Sequence, residues 1–505
     1  MRQYSVLFLW GFLSPLSGRP SSRPLSARPP PFSRQGATVP SNGSGNDPRL
    51  IAAPVWAANT SSQPPKAAVT SAGTAALAPL TDEERAEALR ELQDLKSRIK
   101  GLETRLGVST DVQYVPPLPR APRDHALELY GFTMFDAIQD FNRVDPNWEA
   151  SLRASKIPTV DGQFGSDGQS IFSVRQTRLG VKATGKLADK PYEAKFEFDL
   201  FGTGDDAGKT HMRIRHMYAS WGPFLAGQTN TLFMDGDIAP NSIEYWGPPG
   251  MAWLRNPQVR WTFWDKDGLS AAVALEHPSV DIDPGNIRLL DEAVAANLQP
   301  DEKLPDATAA IRYGGKWGHV RLAGLLRRVG FETRDVQGNA PRGHKTGWGL
   351  DLTSAINITP VTLRLGAVYG RGLATYMNDG GMDLAPAVDV VEGGNGFIII
   401  PRAEAVKLFG MSAFADVQWS KHWSSTIGYS MDKVDNTNFQ SGSAFHSGQY
   451  ALVNLLWSPV DPMMTGVELQ WGKRKDNDGS TGHDLRVQYS FKWSFSSKNL
   501  WELVD

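Results

Sequence analysis

The C-terminal part of the chain alternates strictly between apolar and polar side chains. From Asp484 to Phe495 the large apolar residues share one parity: Leu485, Val487, Tyr489, Phe491, Trp493 and Phe495. Because successive side chains of an extended strand point to opposite faces, this segment predicts a strand with one apolar and one polar face. Aromatic residues at the ends of the apolar face, with charge on the other face, are typical of a transmembrane barrel strand.

The same alternation recurs along most of the chain and predicts about sixteen strands, separated by turn signals. The predicted strands are 127–140, 172–185, 191–201, 210–220, 224–233, 257–264, 269–276, 307–316, 319–331, 345–357, 361–371, 408–420, 423–434, 448–457, 463–474 and 484–495. Tight turns such as Gly222-Pro223 alternate with long links at 141–171, 234–256, 277–306 and 372–407. Short turns on one side and long loops on the other are the outer-membrane arrangement. The predicted fold is therefore all-β, a transmembrane antiparallel β-barrel of about 16 strands over residues 127–495.

Strand parity assigns the polar face to the lumen and makes that lumen rich in cationic side chains. The predicted pore-lining residues are Arg178, Lys182, Arg213, Arg215, Arg260, Arg312, Arg321, Arg364 and Arg486. Burying so many cations in a dry interior would cost several kcal/mol each unless they were paired, so we expect a hydrated channel that attracts anions. An alternative is that they only brace the wall by pairing with Glu193, Glu197, Asp199, Asp351, Asp416 and Glu468. We expect both arrangements.

The long link after the fifth predicted strand combines acids, aromatics and the turn Gly247-Pro248-Pro249-Gly250. A loop of this length can fold into a barrel and narrow it. Its predicted constriction residues are Asp235, Asp237, Glu244 and Arg255. The alternative is an external loop that packs against a neighbouring subunit.

The first 126 residues are organised differently from the barrel region. We expect a leader or signal region over 1–58 with cleavage near Ala57, and a disordered Pro/Ala/Thr linker over 59–80. Thr81 and Glu84 offer a capping box for a coiled coil over 81–107, followed by a Pro-rich spacer over 108–126. The predicted seam is Leu92, Leu95, Ile99, Leu102 and Leu106. A single amphipathic helix packed on its own domain is the alternative.

An even strand number with both termini on the short-turn side places this coiled coil in the periplasm. Residues 496–505 form a C-terminal extension after the final strand.

Composition narrows the function classes without deciding among them. The 505 residues carry a net charge of -2, which argues against a nucleic-acid partner. The chain has no cysteine, so thiolate metal sites and thiol nucleophiles are excluded. The sequence contains no run of about 18 apolar residues for a spanning helix. Catalytic, phosphate-loop and zinc-helix motifs are also absent, so we expect no enzyme activity, no metal and no cofactor.

Several motifs together resemble the DcaP-like trimeric porins of Gram-negative outer membranes over about residues 81–495. They include Gln176-Thr177-Arg178-Leu179-Gly180-Val181-Lys182, Arg213-Ile214-Arg215-His216-Met217-Tyr218 and Asn454-Leu455-Leu456-Trp457-Ser458-Pro459. The resemblance implies a homotrimer of sixteen-stranded barrels in the outer membrane, with a periplasmic coiled coil and passive diffusion of small anionic solutes such as dicarboxylates. Membrane lipid and lipopolysaccharide are the expected surroundings. Arg178, Arg213, Arg215 and Arg260 match the lumenal basic residues of that family.

Two other functions stay open from the sequence. One is a structural tether whose barrel is plugged, and the other is a barrel hydrolase. Recording in a planar bilayer separates them from a channel, because only a channel gives stepwise, anion-favouring conductance.

Overall fold

The computed structural model describes residues 86–87, 89–95, 97–98, 125–334, 336, 338, 340–393 and 396–498. The predicted leader and linker, most of the spacer, and Ile99, Leu102 and Leu106 lie outside the described residues. The helical residues between 86 and 98 form a unit separate from the barrel, in which Leu92 and Leu95 are 52% and 56% exposed. Among the described residues, no helix is both long and apolar enough to cross a bilayer.

Twenty strands follow one another along the described part of the chain. They are β1 (Ala126–Asp140), β2 (Gln169–Ser173), β3 (Arg178–Leu187), β4 (Lys190–Asp199), β5 (Arg213–Trp221), β6 (Phe224–Asn230), β7 (Arg255–Lys266), β8 (Leu269–Glu276), β9 (Leu298–Pro300), β10 (Asp306–Gly315), β11 (Gly318–Thr333), β12 (Arg342–Ile358), β13 (Val361–Arg371), β14 (Leu384–Gly393), β15 (Gly396–Ala405), β16 (Lys407–Gln418), β17 (Trp423–Asp435), β18 (Phe445–Trp457), β19 (Met463–Asp476) and β20 (Thr481–Ser496).

Sixteen of these strands form one closed antiparallel barrel. Neighbours in the chain pair in sequence, and β1 closes the barrel against β20 from Tyr130 opposite Ser496 to Asp140 opposite Arg486. The predicted fold class is confirmed, and every predicted strand except 172–185 overlaps a single strand of the barrel. β1 begins and β20 ends on the short-turn side, as an even strand number requires.

The second predicted strand is interrupted, because β2 and β3 are separated at 174–177 while both pair with β1. Within the gap, the Thr177 hydroxyl lies 3.1 Å from Met134 N and 3.4 Å from Met134 O. That side chain therefore replaces the missing backbone pairing, and Gln176 turns inward to donate to the Ile243 carbonyl over 2.8 Å. β9 and β10 likewise both pair with β11, and β9 extends the sheet along the end of β11 that β10 does not reach.

The outer surface of the barrel is apolar. Ile427, Val453 and Leu469 are 59%, 43% and 42% exposed, whereas polar residues of the opposite parity are buried. Aromatic side chains gather on the outer face near the short turns, namely Trp221, Trp261, Trp423, Trp457 and Trp493. An apolar band bordered by aromatic residues is the surface that a lipid bilayer requires.

Three segments between strands fold onto the inner wall. Residues from 141–168 pack with inward-facing Phe414 and Leu452. Residues from 231–254 and 372–383 share a second apolar cluster with β11 and β13, built around Phe233, Leu373 and Tyr376. The long link 277–305 contains short helices at Ile287–Leu290 and Glu292–Ala296, and the link 372–406 contains the separate hairpin β14–β15. The interior is thus narrowed by packed chain rather than left as an open cylinder.

Candidate functional site

The segment 231–254 crosses the inside of the barrel. It begins after β6, touches the inner faces of β11 to β13, and continues past β16 to β20 before it returns to β7. The structure therefore places this segment inside, as one of the two alternatives from the sequence proposed. Each contact lies at a polar inward-facing position, so the polar parity of the strands supplies the sites that hold this segment.

The beginning of the segment is fixed by Asp235 and Asp237. The Asp235 carboxylate accepts hydrogen bonds from His319 Nε2 and Thr353 Oγ1, each over 2.7 Å. Burial alone would raise the pKa of Asp235, but these hydrogen bonds outweigh it and hold the pKa below its usual value. Arg312 pairs with Asp237 at 2.6 Å, and Arg364 donates to the Asp237 carbonyl. Two of the predicted pore arginines therefore bind the segment.

The middle of the segment is held by buried carboxylates. Glu468 of β19 accepts from Ser242 Oγ over 2.8 Å and from Ile243 N over 3.1 Å. Glu244 accepts from Leu152 N over 2.8 Å, which joins this segment to 141–168. Burial raises the pKa of Glu244 to about 7, against the lowering effect of three backbone N–H groups. This carboxyl therefore titrates in the neutral range.

Between these segments and the wall lies a cavity of about 1350 Å³. Arg178, Arg213, Arg215 and Arg255 line it together. Behind them are two buried carboxylates that the strand parity of β4 turns inward, Glu197 and Asp199.

These carboxylates hold the arginine side chains in place. Arg213 Nη2 and Arg215 Nη1 contact Asp199 at 2.8 and 2.7 Å, and Tyr245 donates to Asp199 over 2.7 Å. Arg215 Nε and Arg178 Nε lie 3.1 and 3.6 Å from Glu197. Two carboxylates thus hold three arginine side chains, whereas Arg255 forms no ion pair with any described residue.

A second basic part of the cavity wall comes from the segment 141–168. Arg153 pairs with Asp379 at 2.8 Å, and its guanidinium lies 4.3 and 4.0 Å from the ring centroids of Trp148 and Trp246. Burial would raise the pKa of Asp379, but the Arg153 charge and the Ser155 hydrogen bonds lower it below its usual value. The stacking holds the guanidinium plane toward the cavity.

Cationic side chains outnumber acidic ones along this cavity. The cationic residues are Arg153, Lys156, Arg178, Arg213, Arg215, Arg255, Arg474 and Lys492, and the acidic ones are Glu244, Asp281, Asp283 and Asp379. Lys156, Arg255 and Lys492 form no ion pair with any described residue. The cavity therefore offers positive charge that the protein itself leaves uncompensated.

Several predicted pore residues lie elsewhere. Arg486 is fully buried, pairs with Asp140 and Asp484, and donates to the Glu149 and Ser151 carbonyls, so it holds segment 141–168 and does not line the cavity. Arg321 is also buried and donates to carbonyls of 231–254.

The remaining two are engaged near the wall. Arg260 donates to Gln258 Oε1 and to the Asn230 carbonyl, while Lys182 pairs with Glu128 at 3.2 Å. Neither lines the large cavity.

Four cavity cations were not among the predicted pore residues: Arg153, Lys156, Arg474 and Lys492. Parity could have found Arg474 and Lys492, because both lie on strands at inward positions. Arg153 and Lys156 lie in a link without strand periodicity, where no pattern tells which way a side chain points.

Asp235, Asp237 and His319 bring ligand-type atoms within 4.8 Å of one another. His319 and Thr353 already occupy one oxygen of Asp235, and Arg312 occupies Asp237. The cluster therefore acts as the anchor of the segment 231–254 and not as a metal site.

Comparison with known proteins agrees with this geometry. Residues 80–312 match the family model of the DcaP outer membrane protein. No curated protein matches the chain. The crystal structure of the outer membrane channel DcaP of Acinetobacter baumannii is similar, with 24% identity, a TM-score of 0.60, and coverage of 74% of this chain and 99% of that chain.

An anion-selective porin from Comamonas acidovorans is similar at 11% identity and a TM-score of 0.46, covering 74% of this chain and 100% of that one. That likeness is too low to carry an argument. The resemblance found in the sequence is confirmed over residues 80–312, which match that family model, and the chain shares the β-barrel fold of the DcaP channel.

Proposed function

We propose that the chain forms a water-filled channel through which small anionic solutes, such as dicarboxylates, diffuse passively across a Gram-negative outer membrane. The observation that carries the proposal is the arginine group of Arg178, Arg213, Arg215 and Arg255 on the cavity wall. Glu197 and Asp199 hold Arg178, Arg213 and Arg215 in place, and Arg255 lines the cavity without an ion pair to any described residue. Fixed cations in a narrow aqueous passage raise the local concentration of anions.

The arginine group is tested by the double variant Arg213→Ala/Arg255→Ala. One unit charge about 7 Å from a solute in water contributes about 0.6 kcal/mol, so losing two cations should lower the chloride-over-potassium permeability ratio several-fold. The measurement is the reversal potential across a KCl gradient in a planar bilayer.

The matched control is Arg371→Ala, an exposed arginine at the end of β13 on the outward parity. It should leave the reversal potential unchanged. Equal permeability ratios in the double variant and the parent would contradict an anion-selecting role for this group.

The preference for dicarboxylates rests on the family resemblance and on paired cations within one cavity. Succinate should reduce chloride current at lower concentration than acetate does, because two carboxylates can contact two cationic groups at once. Indistinguishable inhibition by the two acids would limit the proposal to small anions in general.

The three inward-packed segments also favour a second function, a tether whose barrel is plugged. The same bilayer recording decides between them: stepwise conductance supports the channel, and electrical silence supports the tether. Turnover of an ester or lipid by a silent protein would favour a hydrolase instead.

We further propose a homotrimer whose N-terminal coiled coil lies in the periplasm. Support comes from the exposed Leu89, Leu92 and Leu95 of the N-terminal helix and from an apolar concavity on the outer face of β3 to β6. An apolar helix stripe of this kind is stable in water only when a partner covers it.

A further inference from the structure

Five basic residues stand on the outer face of the barrel at the ends of neighbouring strands. They are Arg371 of β13, Lys407 of β16, Lys433 of β17, and Lys473 and Lys475 of β19. We call this set the outer basic belt. It lies on the side of the long loops, where β13, β17 and β19 end and β16 begins.

Strand parity directs these side chains away from the lumen. Arg371 shares its parity with Tyr369, Lys407 with Phe409, and Lys433 with Ile427, and these three apolar residues are 50%, 39% and 59% exposed on the outer face. The alternate positions point inward and are buried, as Asp432 and Leu408 illustrate. The belt therefore faces whatever surrounds the barrel and takes no part in the cavity.

The belt lies at the height of a bilayer surface. Lys433 follows Trp423, at the short-turn end of the same strand, by ten positions. Ten residues extend about 34 Å along a strand, or about 26 Å across the membrane at a tilt of about 40°. Because the apolar band of such a barrel is about 25 Å tall, Lys433 falls at its outer boundary, where lipid headgroups begin.

Neighbours within the belt repel one another. Arg371 lies directly opposite Lys407, and Lys433 and Lys475 flank Ser447 on either side. Like charges opposite one another destabilise a sheet. The only ion pair of the belt with described residues is Lys407 with Asp435 at 3.8 Å. Anions from outside the chain would therefore reduce the repulsion among these side chains.

The opposite side of the barrel lacks this charge at the same height. The outward positions there are uncharged: Gln139 of β1, Gln228 of β6, Pro257 of β7, Leu275 of β8 and Ala307 of β10. Arg328 of β11 shares the outward parity at this height, but it is paired with Asp301 at 2.9 Å. The unpaired basic residues thus lie on the side of β13 to β19, and the difference marks that side as the one exposed to lipid.

We propose that the outer basic belt binds the phosphate groups of outer-leaflet lipid headgroups, with the phosphorylated sugar headgroup of lipopolysaccharide as the source. Strands lie about 4.8 Å apart, so ammonium groups on adjacent strands can contact one phosphate together. Basic residues just outside an apolar band attract anionic lipid surfaces in the same way. This surface is independent of the channel proposed above.

The test measures how much lipid stays with the purified full-length protein. The triple variant Lys407→Gln/Lys433→Gln/Lys475→Gln and the parent are extracted in mild detergent, incubated with bisphosphorylated lipid A, and counted for bound lipid by native mass spectrometry. We expect at least a fivefold loss of bound lipid A in the variant. In the parent, dephosphorylated lipid A should bind as weakly as lipid A binds to the variant.

The matched control is Lys186→Gln/Lys266→Gln/Lys316→Gln, three exposed lysines near the short turns, of which Lys266 also has a nearby aspartate at 3.9 Å. It should retain lipid A within twofold of the parent. Equal loss in both triple variants, or retention in both, would overturn the proposal. Displacement of lipid A by inorganic pyrophosphate at equal phosphate concentration would overturn the lipid as the source.

Two further readouts keep the result interpretable. Folding is checked by the heat-dependent shift of the barrel on a gel, and Lys433→Gln alone, expected to lose about half of the bound lipid, replaces the triple variant if that one fails to fold. Anion selectivity in a bilayer should be unchanged in the belt variant, so failure here and failure of the channel proposal are separate outcomes.

Discussion

Two buried arginines of the barrel wall are matched by groups from the inward-packed segments. Arg486 contacts two aspartates of the wall and two carbonyls of 141–168, and Arg321 contacts two carbonyls of 231–254. A buried guanidinium is tolerated only when its donors are satisfied, and carbonyls satisfy them without adding charge. These arginines therefore order the constricting segments, while the arginines on the cavity are left to act on solutes.

Glu244 of the constricting segment is a residue at which pH should act. Its side chain is buried, and its pKa is raised from the ordinary 4.5 to about 7. A raised carboxyl pKa means that ionisation opposes the fold, so its contribution to stability is complete below about pH 4.5 and is lost as pH rises through 7. The corresponding loss is about 3 kcal/mol. We expect the temperature of barrel unfolding in detergent to fall between pH 5 and pH 8.

The control for this prediction is Glu244→Gln, which cannot ionise. Its unfolding temperature should be lower than that of the parent at pH 5, because the amide disturbs the N–H contacts, but should change less between pH 5 and pH 8. Parallel pH profiles for the two proteins would show that another group is responsible.

At the level of single residues, parity predicted the face of a side chain but not its contact with water. It correctly turned Arg178, Arg213 and Arg486 inward, yet only the first two line the cavity. What covers Arg486 is a segment without periodicity, whose path depends on contacts distant in sequence. Lys492 was missed although its parity places it on the inner face of β20. Its place on the cavity wall depends on the segments packed inside the barrel, which the sequence pattern does not position.

The strands themselves were predictable because each must satisfy lipid on one face and polar groups on the other. This requirement imposes a strict two-residue period, and the predicted strands agree closely with the observed barrel strands β3 to β8, β10 to β13 and β16 to β20. The break between β2 and β3 was not predictable, since Thr177 replaces backbone pairing through a side-chain contact. The hairpin β14–β15 was missed as well, because it packs on loops and its side chains do not alternate between a lipid-facing and a water-facing side.

The constricting segment 231–254 should depend on its anchor at His319. Removing the imidazole in His319→Ala leaves Asp235 with one fewer donor at a buried site, which costs about 1–3 kcal/mol and loosens the start of the segment. We expect faster amide exchange over 231–254, larger current noise in a bilayer, and little change in overall barrel stability.

His483→Ala is the matched control for this anchor. His483 lies on the outward parity of β20 and should leave both exchange and current noise unchanged. Unaltered exchange of 231–254 in His319→Ala would mean that Glu468 and the Arg312–Asp237 pair hold the segment without this contact.

The barrel as a whole has two dissimilar outer sides. One side carries the outer basic belt on β13 to β19. The other carries a row of alanines in direct register across β3 to β6: Ala183, Ala194, Ala219 and Ala226. This row forms part of a concavity of about 470 Å³ bordered by Val181, Phe196 and Met217. Small outward residues allow close approach of another protein surface within a membrane, whereas lysines favour headgroups.

The alanine row should therefore lie at the contact between subunits, and Ala194→Phe tests it. A phenyl ring is well tolerated by lipid but fills the concavity, so the trimer should dissociate at a lower temperature on native gels while the barrel stays folded. Ala413→Phe, at an outward position on β16, makes the same apolar addition on the basic side and should leave the trimer intact. If Ala413→Phe dissociates the trimer and Ala194→Phe does not, the subunit contact lies on the basic side. That side would then face another subunit, and the assignment of the outer basic belt to lipid would be wrong.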